Sequence, residues 1–168
     1  MIDMKNIIVL FAIMLAGANM NAQGKYGVNE QECKENLSMF IEYYKQKNYI
    51  DAYKPWIWAF TNCPQSSKNI YKNAPNIIKA RIKSDKGNKD AYIDTLMMVF
   101  DQRIQYFGEE GYVLGLKGYK LLEFDKRRSE EAFGYLEGSL DIDSTNSSVQ
   151  AVYGYMKAMV NLEKLGVR

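Results

Sequence analysis

The chain has 168 residues, 47% of them apolar, with 22 Lys plus Arg against 20 Asp plus Glu for a net charge of +2, and no histidine. That balance excludes the strong basic field suited to nucleic acid or an anionic membrane, and the missing imidazole excludes Ser/His/Asp and Cys/His catalysis and removes the commonest metal ligand. The length suits one domain with a sizeable core.

Lys5 precedes the apolar run IIVLFAIMLAGA (Ile7 to Ala18), and Asn19 to Ala22 lead on to Gln23. A charged start, a short hydrophobic region and a small-residue cleavage site match a secretory signal over residues 1–22. Met4 is an alternative start, since Asp3 is awkward in a signal. The run is too short to span a bilayer comfortably; its other reading is a buried helix or an uncleaved anchor. No cysteine follows it before Cys33 to accept a lipid. Residues 23–168 are therefore expected to form an exported domain, periplasmic or in the outer envelope, with no membrane span after cleavage.

Asn29 with Glu32 reads as a helix N-cap and its capping-box partner. Leu37, Phe40, Ile41 and Tyr44 then recur at helical spacing as far as a turn at Gln46, Lys47 and Asn48. The second helix carries Ala52, Trp56, Ala59 and Phe60. Pro55 is tolerable only in a first turn, which places the start near Asp51 rather than Tyr49. Ser67 to Lys83 looks helical but holds Pro75, predicting a kink or two short helices.

After a break at Lys86, Gly87 and Asn88, the run Ile93, Leu96, Met97, Phe100, Ile104 and Phe107 makes a long amphipathic helix that Gly108 stops. Glu110 to Phe124 forms another, with Gly111, Gly115 and Gly118 thinning one side for close packing. Ser129 is the expected N-cap of a helix through Leu140. A last helix runs from Ser148 to about Leu165, and Val152, Tyr153, Met156, Met159 and Val160 give it a wide apolar stripe. No strand pattern occurs.

A repeat of about 34 residues can be laid over these helices. If Cys33 opens a unit, then Tyr43, Ala52, Trp56, Ala59 and Pro64 occupy the places where the tetratricopeptide motif has tyrosine, alanine, an aromatic, alanine and proline. The tryptophan, leucine and glycine places of its first helix hold Asn36, Met39 and Phe40 instead. A unit opening at Val113 puts Ala132, Leu136 and Ser139 in the packing places and Ser144 in that of proline. The next unit puts Gly154 in the glycine place. Ser67 to Gly108 fits the period badly.

On these residues the chain resembles tetratricopeptide-repeat proteins, and its signal, cysteine pair and WIWAFTNCP segment resemble an exported bacterial envelope group of that class. The resemblance implies an all-α fold of stacked antiparallel helix hairpins, a TPR-like α-solenoid. It also implies a non-enzymatic scaffold without cofactor that binds a protein or peptide in a concave groove lined by first helices. The matching groove positions are Lys34, Leu37, Ile41 and Tyr44 in one unit and Leu114, Lys117, Leu121 and Phe124 in the other. Their mix of apolar and basic side chains suits an extended peptide with acidic character. The alternatives are a structural subunit of a larger envelope assembly and a non-repeat helical bundle. The unpaired last helix reads as a cap or as half a unit of a shortened repeat chain.

Cys33 and Cys63, the only cysteines, lie equally far along the chain from a turn at residue 48 and should meet at the open end of the first hairpin. In an oxidising compartment this predicts a disulfide. The other reading is a reactive thiol or metal pair, though neither a histidine nor a third sulfur supports it. Asp141 and Asp143 fail the calcium-loop pattern, since Asn146 replaces its glycine and Val152 its closing glutamate. The three glycines make no phosphate loop. Lys126, Arg127 and Arg128, flanked by acids, read as a solvated loop. Trp56 falls on the packing face, and Trp58 on another, where it is a candidate for ligand contact.

Overall fold

The apolar periodicity folds as helices throughout. The computed structural model describes residues 24–167; the secretory signal expected over residues 1–22 lies outside the described residues. It contains α1 Glu30–Lys45, α2 Tyr49–Asn62, α3 Asn69–Ser84, α4 Lys89–Phe107, α5 Glu110–Phe124, α6 Ser129–Asp143 and α7 Val149–Lys164, with no strand among the described residues. Short 3₁₀ turns lead into α4, α6 and α7. None of these helices is long and apolar enough to cross a membrane.

Local chemistry sets the boundaries. Asn29 Oδ1 accepts the Glu32 N–H at the head of α1, while its Nδ2 donates to the Glu32 carboxylate (2.9 Å). Asn48 does the same for α2 through Asp51. This cap starts α2 at Tyr49, not near Asp51 as Pro55 suggests, and leaves Pro55 buried inside the helix. α3 likewise runs unbroken through Pro75 rather than as two short helices. Ile70, Tyr71 and Ala74 before the proline and Ile77 and Ile78 after it are buried, so packing on both sides offsets the one lost backbone bond.

Ser129 is the first residue of α6 and not its cap. It is buried, donates to the Lys126 carbonyl (2.6 Å) and accepts from Asn161 Nδ2 of α7 (3.1 Å). Gly108 ends α4 at a φ of 65°, a left-handed conformation that glycine adopts without strain. Ser148 caps α7 by accepting the Ala151 N–H.

Each helix packs on the next, and α5 packs on both α6 and α7. One apolar core runs through the described residues, with Phe40, Trp56, Tyr71, Ile93, Leu121, Leu136 and Leu162 among its fully covered side chains. Trp56 Nε1 donates to the Ile70 carbonyl (2.7 Å), tying α2 to α3, whereas Trp58 is only partly buried. The thinned side of α5 takes close neighbours. A β-carbon on Gly115 would lie 2.7 Å from Ala151 Cβ, and one on Gly118 would lie 2.5 Å from Leu136 Cγ.

Cys33 and Cys63 form a disulfide with their Cα atoms 6.2 Å apart, both buried at the open end of the α1–α2 hairpin.

Candidate functional site

α5 packs against α7, and side chains link α1 to α3 and α3 to α5. Asn76 of α3 donates to Tyr44 Oη of α1 (2.7 Å), Lys79 of α3 pairs with Glu123 of α5 (3.0 Å), and the rings of Tyr119 of α5 and Tyr153 of α7 lie 6.3 Å apart. Early residues of α3 share a hollow with early residues of α5, and late residues with late, so these two helices run the same way with a furrow between them.

The hollow at the first end is about 530 Å³. Pro75 and Leu116 are its partly exposed apolar surface, over Tyr71 and Phe100, which belong to the core, and Lys72 and Lys120 supply cations, with Glu109, Tyr112 and the buried Arg103 completing the lining. The hollow at the second end, about 420 Å³, sets Ile82 and Phe124 among Lys79, Lys83, Lys86 and Lys89. Between Tyr71 and Lys83 the furrow follows roughly 18 Å of helix at the usual rise per residue, the span of about five extended residues.

Both acids of the furrow are already committed. Glu109 adopts a left-handed φ of 61°, which brings its carboxylate to Arg103 (3.0 Å) and Lys68 (3.1 Å). The hydrogen bond from Arg103, then that from Lys68, holds its pKa below the usual carboxylate value. Burial opposes the charge on Glu123, but Lys120 (2.6 Å) and Lys79 outweigh it and its pKa also falls. Lys72, Lys83 and Lys86 make no ion pair among the described residues. The furrow therefore presents an apolar floor between basic rims, with no titratable pair arranged for proton transfer.

Of the groove residues expected from sequence, Phe124 lines this furrow and Tyr44 borders α3 through Asn76. Leu37 and Leu121 are buried in the core, and Ile41 packs against it. Lys117 is 4% exposed: its ammonium bonds Asp101 of α4 and lies 4.0 Å from the ring centre of Tyr135 of α6. It straps three helices together and offers nothing to a groove. Lys34 is exposed on α1, where it pairs with Glu30 (2.6 Å) and sits over Tyr26. Leu114 is partly buried and turns toward Gly138 of α6.

What the repeat register leaves out is α3. Lys72, Pro75, Lys79, Ile82, Lys83 and Lys86 come from the segment that fits the period badly, so no groove position falls on them. Their signal was still present: Lys79, Lys83 and Lys86 recur at helical spacing beside Ile82.

The segment read as a solvated basic loop is a 3₁₀ turn with Lys126 and Arg127 exposed, and its arginines are paired with acids. Arg127 bonds Asp125 (2.7 Å), and Arg128 bonds both Asp94 of α4 (2.6 Å) and Glu131 (2.7 Å). Among the described residues, no three Cys, Asp or Glu side chains gather into a metal-binding group. No family model, no curated protein and no solved structure matches the chain.

Proposed function

We propose that the protein is a non-enzymatic scaffold of stacked antiparallel helix hairpins, tetratricopeptide-like, that binds an extended acidic peptide segment of another protein outside the cytoplasm. The observation that carries the reading is the α3–α5 furrow, where an apolar floor lies between lysines whose acidic neighbours are already paired. An extended segment could set alternate side chains on Pro75, Ile82 and Phe124, which are partly exposed, while its carboxylates meet Lys72, Lys83 and Lys86. The buried disulfide and the apolar run at Ile7 to Ala18 support an oxidising destination in the periplasm or outer envelope. Burial of Ala52, Trp56 and Ala59 in one hairpin and of Ala132, Leu136 and Ser139 in another supports the repeat reading.

Selection from a random displayed peptide library tests the proposal. Enrichment of sequences that combine acidic and aromatic residues is expected, and for a winning peptide Lys83→Glu together with Lys86→Glu should weaken binding about tenfold or more at low salt. A library that yields no acidic preference, or a dissociation constant unmoved by the double variant, would overturn it.

A further inference from the structure

α7 buries Ala151, Gly154, Ala158 and Leu162 against the rest of the protein and leaves its other face open. That face is apolar from Val149 to Val160: Val152, Tyr153, Met156, Met159 and Val160 are each between 44 and 62% exposed, and Val149 is 82% exposed. Methionines and a tyrosine make up its centre, and such side chains are enriched in the cores of protein interfaces. Beside them lies a hollow of about 450 Å³ bounded by Met156, Met159, Val160 and Glu163.

We infer that this face pairs with the same face of a second copy, giving a two-fold dimer with its α7 helices antiparallel. The spacing of the stripe favours this occupant. With Met156 on the axis, Val152 of each copy falls opposite Val160 of the other and Tyr153 falls opposite Met159, so the central residues meet apolar partners, and Val149 at the end falls opposite Glu163. The second copy's Tyr153 comes to the hollow beside Met159 and Val160, where sulfur and ring pack well. Glu163 lies by the first turn of the second copy's α7, where the free helical amides favour a carboxylate.

The area is also sufficient. The exposed part of the stripe amounts to about 600 Å² per copy, approaching the ~800 Å² per partner of a standard interface before flanking residues add theirs. Lys157 flanks the axis on each copy, so added salt should leave this dimer intact or tighten it, whereas it should weaken an acidic peptide in the furrow. The two sites are separate, and either can fail without the other.

Sedimentation equilibrium of the purified chain across micromolar concentrations is the test. A monomer–dimer equilibrium is expected, and Met156→Lys should raise its dissociation constant more than about tenfold while leaving the helical circular dichroism unchanged, because the residue is exposed. Met156→Cys should crosslink to its own kind under mild oxidant much faster than Met98→Cys, an equally exposed site on α4. A monomer at all concentrations, a mass that grows beyond the dimer, a Met156→Lys dimer as tight as the parent, or equal crosslinking at the two cysteines would overturn it.

Discussion

A methyl group added at Gly118 would meet Leu136 Cγ at 2.5 Å and the Ala132 carbonyl at 2.8 Å, whereas one added at Gly134 would meet nothing within 4 Å. Both residues lie inside helices, where alanine is favoured over glycine by up to about 1 kcal/mol. At Gly134, which is exposed, that preference acts alone, and Gly134→Ala should stabilise by about 0.5 to 1 kcal/mol. At Gly118 the clash with a buried leucine and a backbone oxygen outweighs it, and Gly118→Ala should cost about 1 to 2 kcal/mol. Urea midpoints of the two variants should move in opposite directions.

Asp125 supplies a second prediction at this scale. Its carboxylate is buried and accepts both the backbone N–H of Arg127 (3.0 Å) and that residue's guanidinium. The hydrogen bond from Arg127 outweighs burial and holds the pKa below the ordinary value. A folded-state pKa below the unfolded one gives stability that is complete above the unfolded value and is lost as the pH falls through the folded value. Acid destabilisation should therefore set in below about pH 4, the ordinary carboxylate range. Asp125→Asn should flatten the dependence of the melting temperature on pH there, with little change of slope near neutrality.

Among the elements, the α1–α2 hairpin was the most legible, because its caps, turn, stripe and cysteine spacing all agree. Asn29 and Asn48 cap as their residue types suggest, and Cys33 meets Cys63. Prolines were read less well. Pro55 and Pro75 each lie inside a helix, because burial on both sides offsets one missing backbone bond, and a rule about proline alone does not contain that term. Ser129 was misread for a related reason: its hydroxyl is claimed by the Lys126 carbonyl and by Asn161 on a helix distant in sequence. Closing a loop of this length with a disulfide is worth about 3 to 4 kcal/mol. Reduction should lower the melting temperature by roughly 10 °C, and no shift would show that the hairpin holds without the bond.

At the scale of the molecule, helical periodicity is enough to place the seven helices of the described residues, since each one has a buried face set by its own sequence. The site was only partly legible, because a furrow belongs to two helices at once. Lys117 and Leu121 stand at groove positions by register, yet the close approach of α6 to the glycines of α5 turns them into the core. No groove position of the repeat falls on the lysines of α3, because α3 and the 19-residue α4 depart from the period. What positions the furrow is the parallel run of α3 and α5, held by the Lys79–Glu123 pair and closed at one end by Glu109 with Arg103 and Lys68.

The most direct test of this account is an amide chemical-shift titration of the labelled protein with a selected acidic peptide. Shifts confined to α3, α5 and the turn at Lys86 to Asn88, and abolished by Lys83→Glu with Lys86→Glu, are the predicted result. Shifts centred on α7, or on the outer surface of α1 around Lys34, would contradict it.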